Sequence, residues 1–149
     1  MKLKKKPKAK FRIKTEKESR KATQHSPEAV LYRKPSWRFG MLDLNGPWGW
    51  LNIKLKNLLV EIVDKLKNFE SMTWGEIERN KKSHLISLDK IAKKAQERLR
   101  ERELDDLEEL YSLRLSGKER IWGKRENEAF YIIWWDPGHT VYPVQKKHT

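Results

Sequence analysis

The chain has 149 residues, which suits one modest hydrophobic core and is too short for two ordinary domains. It contains no cysteine, so disulfides, thiolate metal sites and thiol catalysis are excluded. The formal net charge is +13, no apolar run approaches the ~20 residues that cross a bilayer, and the basic N-terminus lacks the apolar segment of a secretory signal. We therefore expect a cytoplasmic protein with polyanionic partners and no membrane association.

The positive charge is concentrated in a basic N-terminal extension, residues 1–26. Residues 1–24 hold eleven Lys and Arg against Glu16 and Glu18. Such a segment buries too little apolar surface to order itself, so we expect it to be disordered and to bind RNA phosphates by counterion release. Its candidate RNA-binding residues are Lys4, Lys5, Lys6, Lys8, Lys10 and Arg12. An acidic partner protein, or a solubilising role without a specific site, are the alternatives.

Residues 27–149 are predicted to form a single domain, which opens with a short strand around Trp37 and Phe39. A helix is predicted next because apolar residues recur at helical spacing. These residues are Leu51, Leu55, Leu58, Leu59, Ile62, Val63, Leu66 and Phe69. Thr73 and Glu76 have the spacing of a capping box and predict a short second helix. "SHLISL" then indicates a short extended link.

A third helix is predicted over "KIAKKAQERLRERE", where Ile91, Ala95 and Leu99 form a thin stripe typical of a largely exposed helix. From Tyr111 the period changes, and "YSLRLS", "ERIWGKR" and "AFYIIWW" indicate three strands joined by tight turns. The last of them is apolar on both faces and should be the central strand of the sheet. The predicted fold class is α+β: a small antiparallel sheet, made of the short N-terminal strand and the C-terminal three-stranded meander, packed with two or three helices.

Strand alternation sends Arg120, Trp122 and Lys124 to one face of the sheet, and Ile121, Gly123 and Arg125 to the other. Arg114 on the preceding strand and Lys118 in the turn can complete a basic cluster around Arg120. The alternatives are that these arginines lie in solvent, or that Arg120 pairs with the acidic segment at Asp105 or Glu109. The tryptophans Trp48, Trp50, Trp134 and Trp135 are expected to belong to the core rather than to stack on bases.

The order of these features resembles the RelE/ParE superfamily of bacterial toxins. The resemblance lies in helices followed by a meander with "LRLSGKERIWG" and an apolar strand ending in "WWDPGHTVY", and it covers roughly residues 36 to 145. It implies a small basic toxin that a cognate antitoxin protein neutralises. Many members cut messenger RNA in the ribosome without a metal, whereas ParE-type members poison DNA gyrase.

On this resemblance, Arg120 matches the family's strand arginine, and His139 with Tyr142 matches its C-terminal His/Tyr pair. Attack of a ribose 2′-OH on its own phosphate needs a proton acceptor, cations for the phosphate oxygens and a proton donor for the leaving 5′-oxygen. The candidate catalytic residues are His139, Arg120, Tyr142 and Lys118. The candidate RNA contacts of the domain are Arg114, Lys124, Arg125, Lys146, Lys147 and His148.

Two features depart from the family pattern: an extra helix, and Asp136-Pro137, which interrupts the final strand. His139 is therefore either a catalyst or simply a turn residue. Four scattered histidines and the absence of nucleotide-binding or hydrolase motifs predict no metal and no cofactor. A non-catalytic RNA- or ribosome-binding protein and a gyrase poison remain alternatives to an endoribonuclease.

Overall fold

A computed structural model describes residues 27–143, so the N-terminal extension and residues 144–149 lie outside the described part of the chain. The helices are α1 Pro27–Leu31, α2, α3 Trp74–Glu78 and α4 Lys93–Glu101. Helix α2 is continuous and consists of α-helical Leu55–Asn57, π-helical Leu58–Val63 and α-helical Asp64–Glu70. The strands are β1 Ser36–Arg38, β2 His84–Ser87, β3 Glu109–Ser116, β4 Glu119–Glu126 and β5 Ala129–Asp136. Among residues 27–143, no helix is both long and apolar enough to cross a membrane.

The α+β class and the three-stranded meander are confirmed, with the sheet in the order β1-β5-β4-β3-β2. Two details of the predicted sheet are wrong. Strand β1 runs parallel to β5, so the sheet is mixed; nearly the whole domain separates the two strands, which leaves ample chain for a parallel crossover. The expected link "SHLISL" is instead a fifth strand, β2, which pairs antiparallel with β3 and places Ile86 opposite Leu110.

The sheet carries a hydrophobic core on each face. The first face is covered by α2 and α3, whose Ile62 and Trp74 pack against strand residues such as Phe130. The second face is covered by α4 and the loop containing Trp48, which pack against Trp122, Trp134 and their neighbours. Both faces of the sheet are covered, so β5 is buried on both sides, as its apolar residues predicted; the central strand, however, is β4, because among residues 27–143 the short strand β1 is the only one beyond β5 in the sheet.

A β-bulge in β5 changes which residues face each core. Trp122 pairs with Trp134 and Gly123 pairs with Ile132, so Ile133 is the extra residue between the two pairs. Gly123 lies where a Cβ would come within 2.9 Å of the Phe130 ring and 2.2 Å of the Tyr131 carbonyl oxygen. Only glycine fits at position 123, because the Phe130 side chain lies across β4 there.

The helix predictions are confirmed in outline. Thr73 and Glu76 form the expected capping box at the start of α3. The stripe Ile91, Ala95 and Leu99 is buried against the second face. The long helix begins at Leu55, four residues later than the apolar pattern suggested, because Leu51 belongs to a separate 3-10 turn, Trp50–Asn52. Trp48 and Trp134 are buried, and Trp50 and Trp135 pack against the core at its edge.

Candidate functional site

The β3–β4 hairpin brings two arginines together. Arg114 and Arg120 are directly opposite each other in the register of the two strands. Both donate hydrogen bonds to the Gly117 carbonyl, Arg120 through Nη1 at 2.7 Å and Arg114 through Nε at 3.4 Å. With Lys118, which is exposed in the turn, they form a group of three cations that we call the basic corner.

In the part of the chain that the structure describes, the two arginines of the basic corner are not neutralised by a salt bridge to a carboxylate. Within residues 27–143 neither forms a salt bridge, and Arg120 Nε is buried without a hydrogen-bond partner. Burial lowers the pKa of Arg120, and the neighbouring charge of Arg114 lowers it further, while Asp136 opposes both effects. Like charges directly opposite on a sheet destabilise the fold, so this pair costs free energy that an anion placed against it would recover.

The end of β5 reaches the same end of the sheet. Arg120 is paired in register with Asp136, the last residue of β5, so the turn that follows lies beside the basic corner. The Asp136 carboxylate is buried and accepts hydrogen bonds from Trp122 Nε1 at 3.1 Å, from the Val141 backbone at 2.9 Å and from the backbone and hydroxyl of Thr140. This carboxylate holds the turn 137–140 in one conformation.

His139 and Tyr142 are carried by that turn and lie close to each other. Their ring centroids are 6.4 Å apart. His139 adopts a positive φ of 59°, which is uncommon outside glycine but comparatively frequent for His, Asn and Asp. Tyr142 packs against the core of the second face, the face to which strand alternation also assigns Arg114 and Arg120. The structure therefore brings the predicted catalytic residues to one face and one end of the sheet.

Lys124 and Arg125 are placed differently from the basic corner. Lys124 lies further along β4 and forms an ion pair with Glu126 at 3.7 Å. Arg125 lies on the first face, where its guanidinium stacks 4.0 Å above the Trp74 ring and forms an ion pair with Glu78. The charge of Arg125 is thus compensated within the protein. The remaining predicted RNA contacts, Lys146, Lys147, His148, Lys4, Lys5, Lys6, Lys8, Lys10 and Arg12, lie outside the described residues.

Arg120 does not pair with the acidic segment, the alternative that the sequence left open. Its guanidinium group donates hydrogen bonds to the carbonyl oxygens of Gly117 and Glu119. Glu109 instead lines a cleft with residues of the first face.

That cleft has a volume of about 770 Å³. It combines the apolar side chains of Val30, Leu31 and Leu85 with the polar group formed by Glu78, Tyr111 and Arg125. Burial raises the pKa of Tyr111, whose hydroxyl donates to Glu78 at 2.9 Å. Because Glu78 already satisfies both Tyr111 and Arg125, this group offers an anionic ligand less positive charge than the basic corner does.

The residues that hold the site in place are not evident from the sequence. The sequence pattern marks Asp136 as an interruption of the last strand, whereas its side chain fixes the turn that carries His139. The sequence does contain a signal for this role of Asp136: it begins a Pro-Gly turn and has Thr140 four residues later. Asp side chains in such turns commonly accept hydrogen bonds from nearby backbone N–H groups. No sequence pattern indicated that Glu78 and Arg125, 47 residues apart, form a pair.

Across residues 27–143, no group of three or more His, Cys, Asp or Glu side chains is arranged to hold a metal ion. Comparison of the chain with protein-family models, with curated proteins and with solved structures finds no match.

Proposed function

We propose that the protein is a toxin-like endoribonuclease that cleaves messenger RNA by attack of the ribose 2′-OH on the adjacent phosphate. The observation that carries the proposal is the basic corner, in which Arg114 and Arg120 are opposite each other in register and neither forms a salt bridge among the described residues. A phosphodiester supplies the missing anion. Planar guanidinium groups suit its oxygens because they donate bidentately.

The roles follow from position in the site. Arg120 and Arg114 stabilise the charge that develops on the phosphate oxygens, and Lys118 adds positive potential at the rim. His139 accepts the proton of the 2′-OH and, as imidazolium, gives it to the leaving 5′-oxygen; Tyr142 stacks on a base or orients the RNA. The 2′-oxygen forms a bond to phosphorus as the bond to the 5′-oxygen breaks, so the products carry a 2′,3′-cyclic phosphate and a 5′-hydroxyl. The cations come from side chains, and the proposal therefore includes no metal.

A cytoplasmic location and a neutralising antitoxin belong to the same proposal. Ribosomes and messenger RNA are in the cytoplasm, and a nuclease that acts on them needs restraint in its own cell. The resemblance described above remains the reason for the antitoxin partner.

The direct test is incubation of the full-length protein with matched RNA and DNA oligonucleotides in the presence of EDTA, with and without ribosomes. We expect cleavage of RNA to 2′,3′-cyclic phosphate ends and no cleavage of DNA, because DNA lacks the 2′-OH. Expression in a bacterial host should arrest growth and shorten transcripts. If the cells grow normally while they make soluble protein, the toxin proposal is refuted. If their DNA is damaged while their transcripts stay intact, the protein is a gyrase poison instead.

Replacing His139 with asparagine is expected to lower the cleavage rate by about 10²-fold or more, the usual contribution of a positioned proton-transfer group. Asparagine is chosen because it also tolerates positive φ, so the turn should keep its conformation. The matched control is His84→Asn, since His84 lines the cleft on the other side of the sheet. Cleavage rate and thermal stability are measured together. If His139→Asn cleaves RNA at the wild-type rate, His139 is a turn residue only, and His148, Tyr142 or a lysine must transfer the proton.

A further inference from the structure

Helix α2 leaves a continuous apolar surface uncovered. Leu55, Leu59, Val60 and Val63 are 69%, 54%, 62% and 43% exposed. We call these four residues the outer face of α2. Isolated exposed aliphatic residues are common, but a contiguous patch of them marks an interaction surface.

Apolar residues occupy a wider part of the α2 circumference than the sheet can cover, so some of them remain exposed as the outer face. Leu58, Ile62, Leu66 and Phe69 already pack against the first face, and they account for the buried side of the helix. The outer face therefore adds nothing to the core described here. Exposed aliphatic side chains are unfavourable in water relative to burial, in proportion to their apolar area, so covering the outer face would stabilise the protein.

Residues of the outer face form two parallel rows along the helix. Residues four apart lie above one another, so Leu55, Leu59 and Val63 make one row, and Lys56, Val60 and Asp64 make the next. The second row has a cation at its N-terminal end and an anion at its C-terminal end. Both ends are exposed, and within residues 27–143 neither forms a salt bridge.

We propose that the outer face of α2 binds the same face of a second copy of this chain, with the two helices antiparallel. A two-fold axis that passes between Leu59 and Val60 places Leu55 of each copy opposite Val63 of the other. The same axis places each Lys56 opposite an Asp64, so both rows are complementary to themselves. This self-complementarity is what a two-fold symmetric interface requires.

Other occupants fit these charges less well. The N-terminal extension carries eleven Lys and Arg in residues 1–24, and Lys54, Lys56 and Lys67 around the outer face would repel it. An anionic membrane would be attracted by these lysines but repelled by Glu61 and Asp64, whereas a second copy of the chain offers both signs of charge. The outer face is smaller than the ~20–30 residues a side of a standard interface, so the dimer should dissociate in the micromolar range.

The test is the molar mass of the full-length protein, measured by sedimentation from low micromolar to near-millimolar concentration. The wild type should shift from monomer to dimer. Lys56→Asp and Asp64→Lys should each weaken the dimer by about 10-fold or more, because either change puts two like charges opposite each other twice in the interface. The double variant Lys56→Asp/Asp64→Lys should restore affinity to within about 3-fold of the wild type, since the pairs reform with reversed sign.

Two controls separate this interface from general effects. Lys94→Asp changes charge by the same amount on α4 and should leave the dimer intact. Leu59→Glu should abolish the dimer, whereas Leu85→Glu, at a comparably exposed leucine on β2, should not. A protein that stays monomeric at every concentration, or a double variant that is no tighter than the single ones, overturns the proposal. Binding of the wild type, but not Leu59→Glu, to anionic vesicles by a monomeric protein assigns the outer face to lipid instead.

Discussion

Replacing Arg120 with alanine is expected to lower RNA cleavage by about 10²-fold or more while the protein stays folded. Removing one preorganised donor from a developing oxyanion typically costs about 2.7–4 kcal/mol of transition-state stabilisation. Arg120 is the best placed of the cations because it is partly buried, carries a free Nε and pairs in register with the residue that begins the His139 turn. Arg114→Ala and Lys118→Ala should have smaller effects.

The stability of the same variant distinguishes a site residue from a structural one. Burial and Arg114 lower the pKa of Arg120, which means that the fold disfavours its charged form. Loss of that charge therefore removes repulsion and offsets the loss of hydrogen bonds to Gly117 and Glu119. We expect a melting temperature close to that of the wild type for Arg120→Ala. Lys94→Ala, at an exposed lysine on α4 that is not a candidate RNA contact, is the control and should keep both activity and stability.

A large fall in melting temperature together with activity would show that Arg120 supports the hairpin. Arg120→Lys then helps to separate the roles, since lysine keeps the positive charge but loses the planar fork of donors. Partial cleavage by Arg120→Lys at unchanged stability supports a phosphate-binding arginine. Full cleavage by Arg120→Ala removes Arg120 from the mechanism.

Replacing Asp43 with asparagine is expected to lower the free energy of unfolding by about 3 kcal/mol, the lower end of the cost of breaking a buried ion pair. The Asp43 side chain is 2% exposed and accepts hydrogen bonds from Arg98 at 2.8 and 2.9 Å and from Trp134 Nε1 at 2.9 Å. Arg102 lies 3.8 Å away and donates to the carbonyl groups of Met41 and Leu42. Asp43 thus connects the loop over the second face to both α4 and β5.

The melting temperature should fall by about 10 °C, because each kcal/mol corresponds to about 4 °C in a chain of this size. Glu101→Gln is the matched control: Glu101 bonds the same Arg98 at 3.0 Å but is 66% exposed, so its loss should change stability by less than about 0.5 kcal/mol. A change of less than about 2 °C in Asp43→Asn contradicts the assignment of Asp43 as the anchor of this loop.

The same carboxylate should contribute to acid unfolding. Burial opposes the charge of Asp43, but hydrogen bonds from Arg98 and Trp134 and the charges of Arg102 and Arg98 outweigh it, so its pKa is lowered in the folded protein. A lowered pKa stabilises the fold at pH values above the ordinary carboxyl range. That contribution is lost as the pH falls toward the lowered pKa. Wild type should therefore lose stability more steeply with acid than Asp43→Asn does.

Much of the architecture could be predicted because its signals are local. The meander follows from alternation and turn spacing within single hairpins, and the capping box at Thr73 and Glu76 follows from two residues three apart. The pairing of Arg114 with Arg120 could also be predicted, since a tight hairpin fixes which residues of its two strands are opposite. The register of Arg120 with Asp136 brings the end of β5 to the 116–118 turn, as the antiparallel pairing of β4 with β5 requires.

The rest depends on contacts between segments far apart in the chain. The sequence by itself determined the class of fold, the two apolar sides of β5 and the basic composition of the β3–β4 turn, because these depend on neighbours within a few residues. Only the tertiary structure decided that β1 runs parallel to β5, that Arg125 is neutralised by Glu78, and that Asp43 and Asp136 are buried anchors. A buried charge is stable only where its partners converge, and the partners of Asp43 lie 55 to 91 residues away, a distance that no periodic pattern encodes.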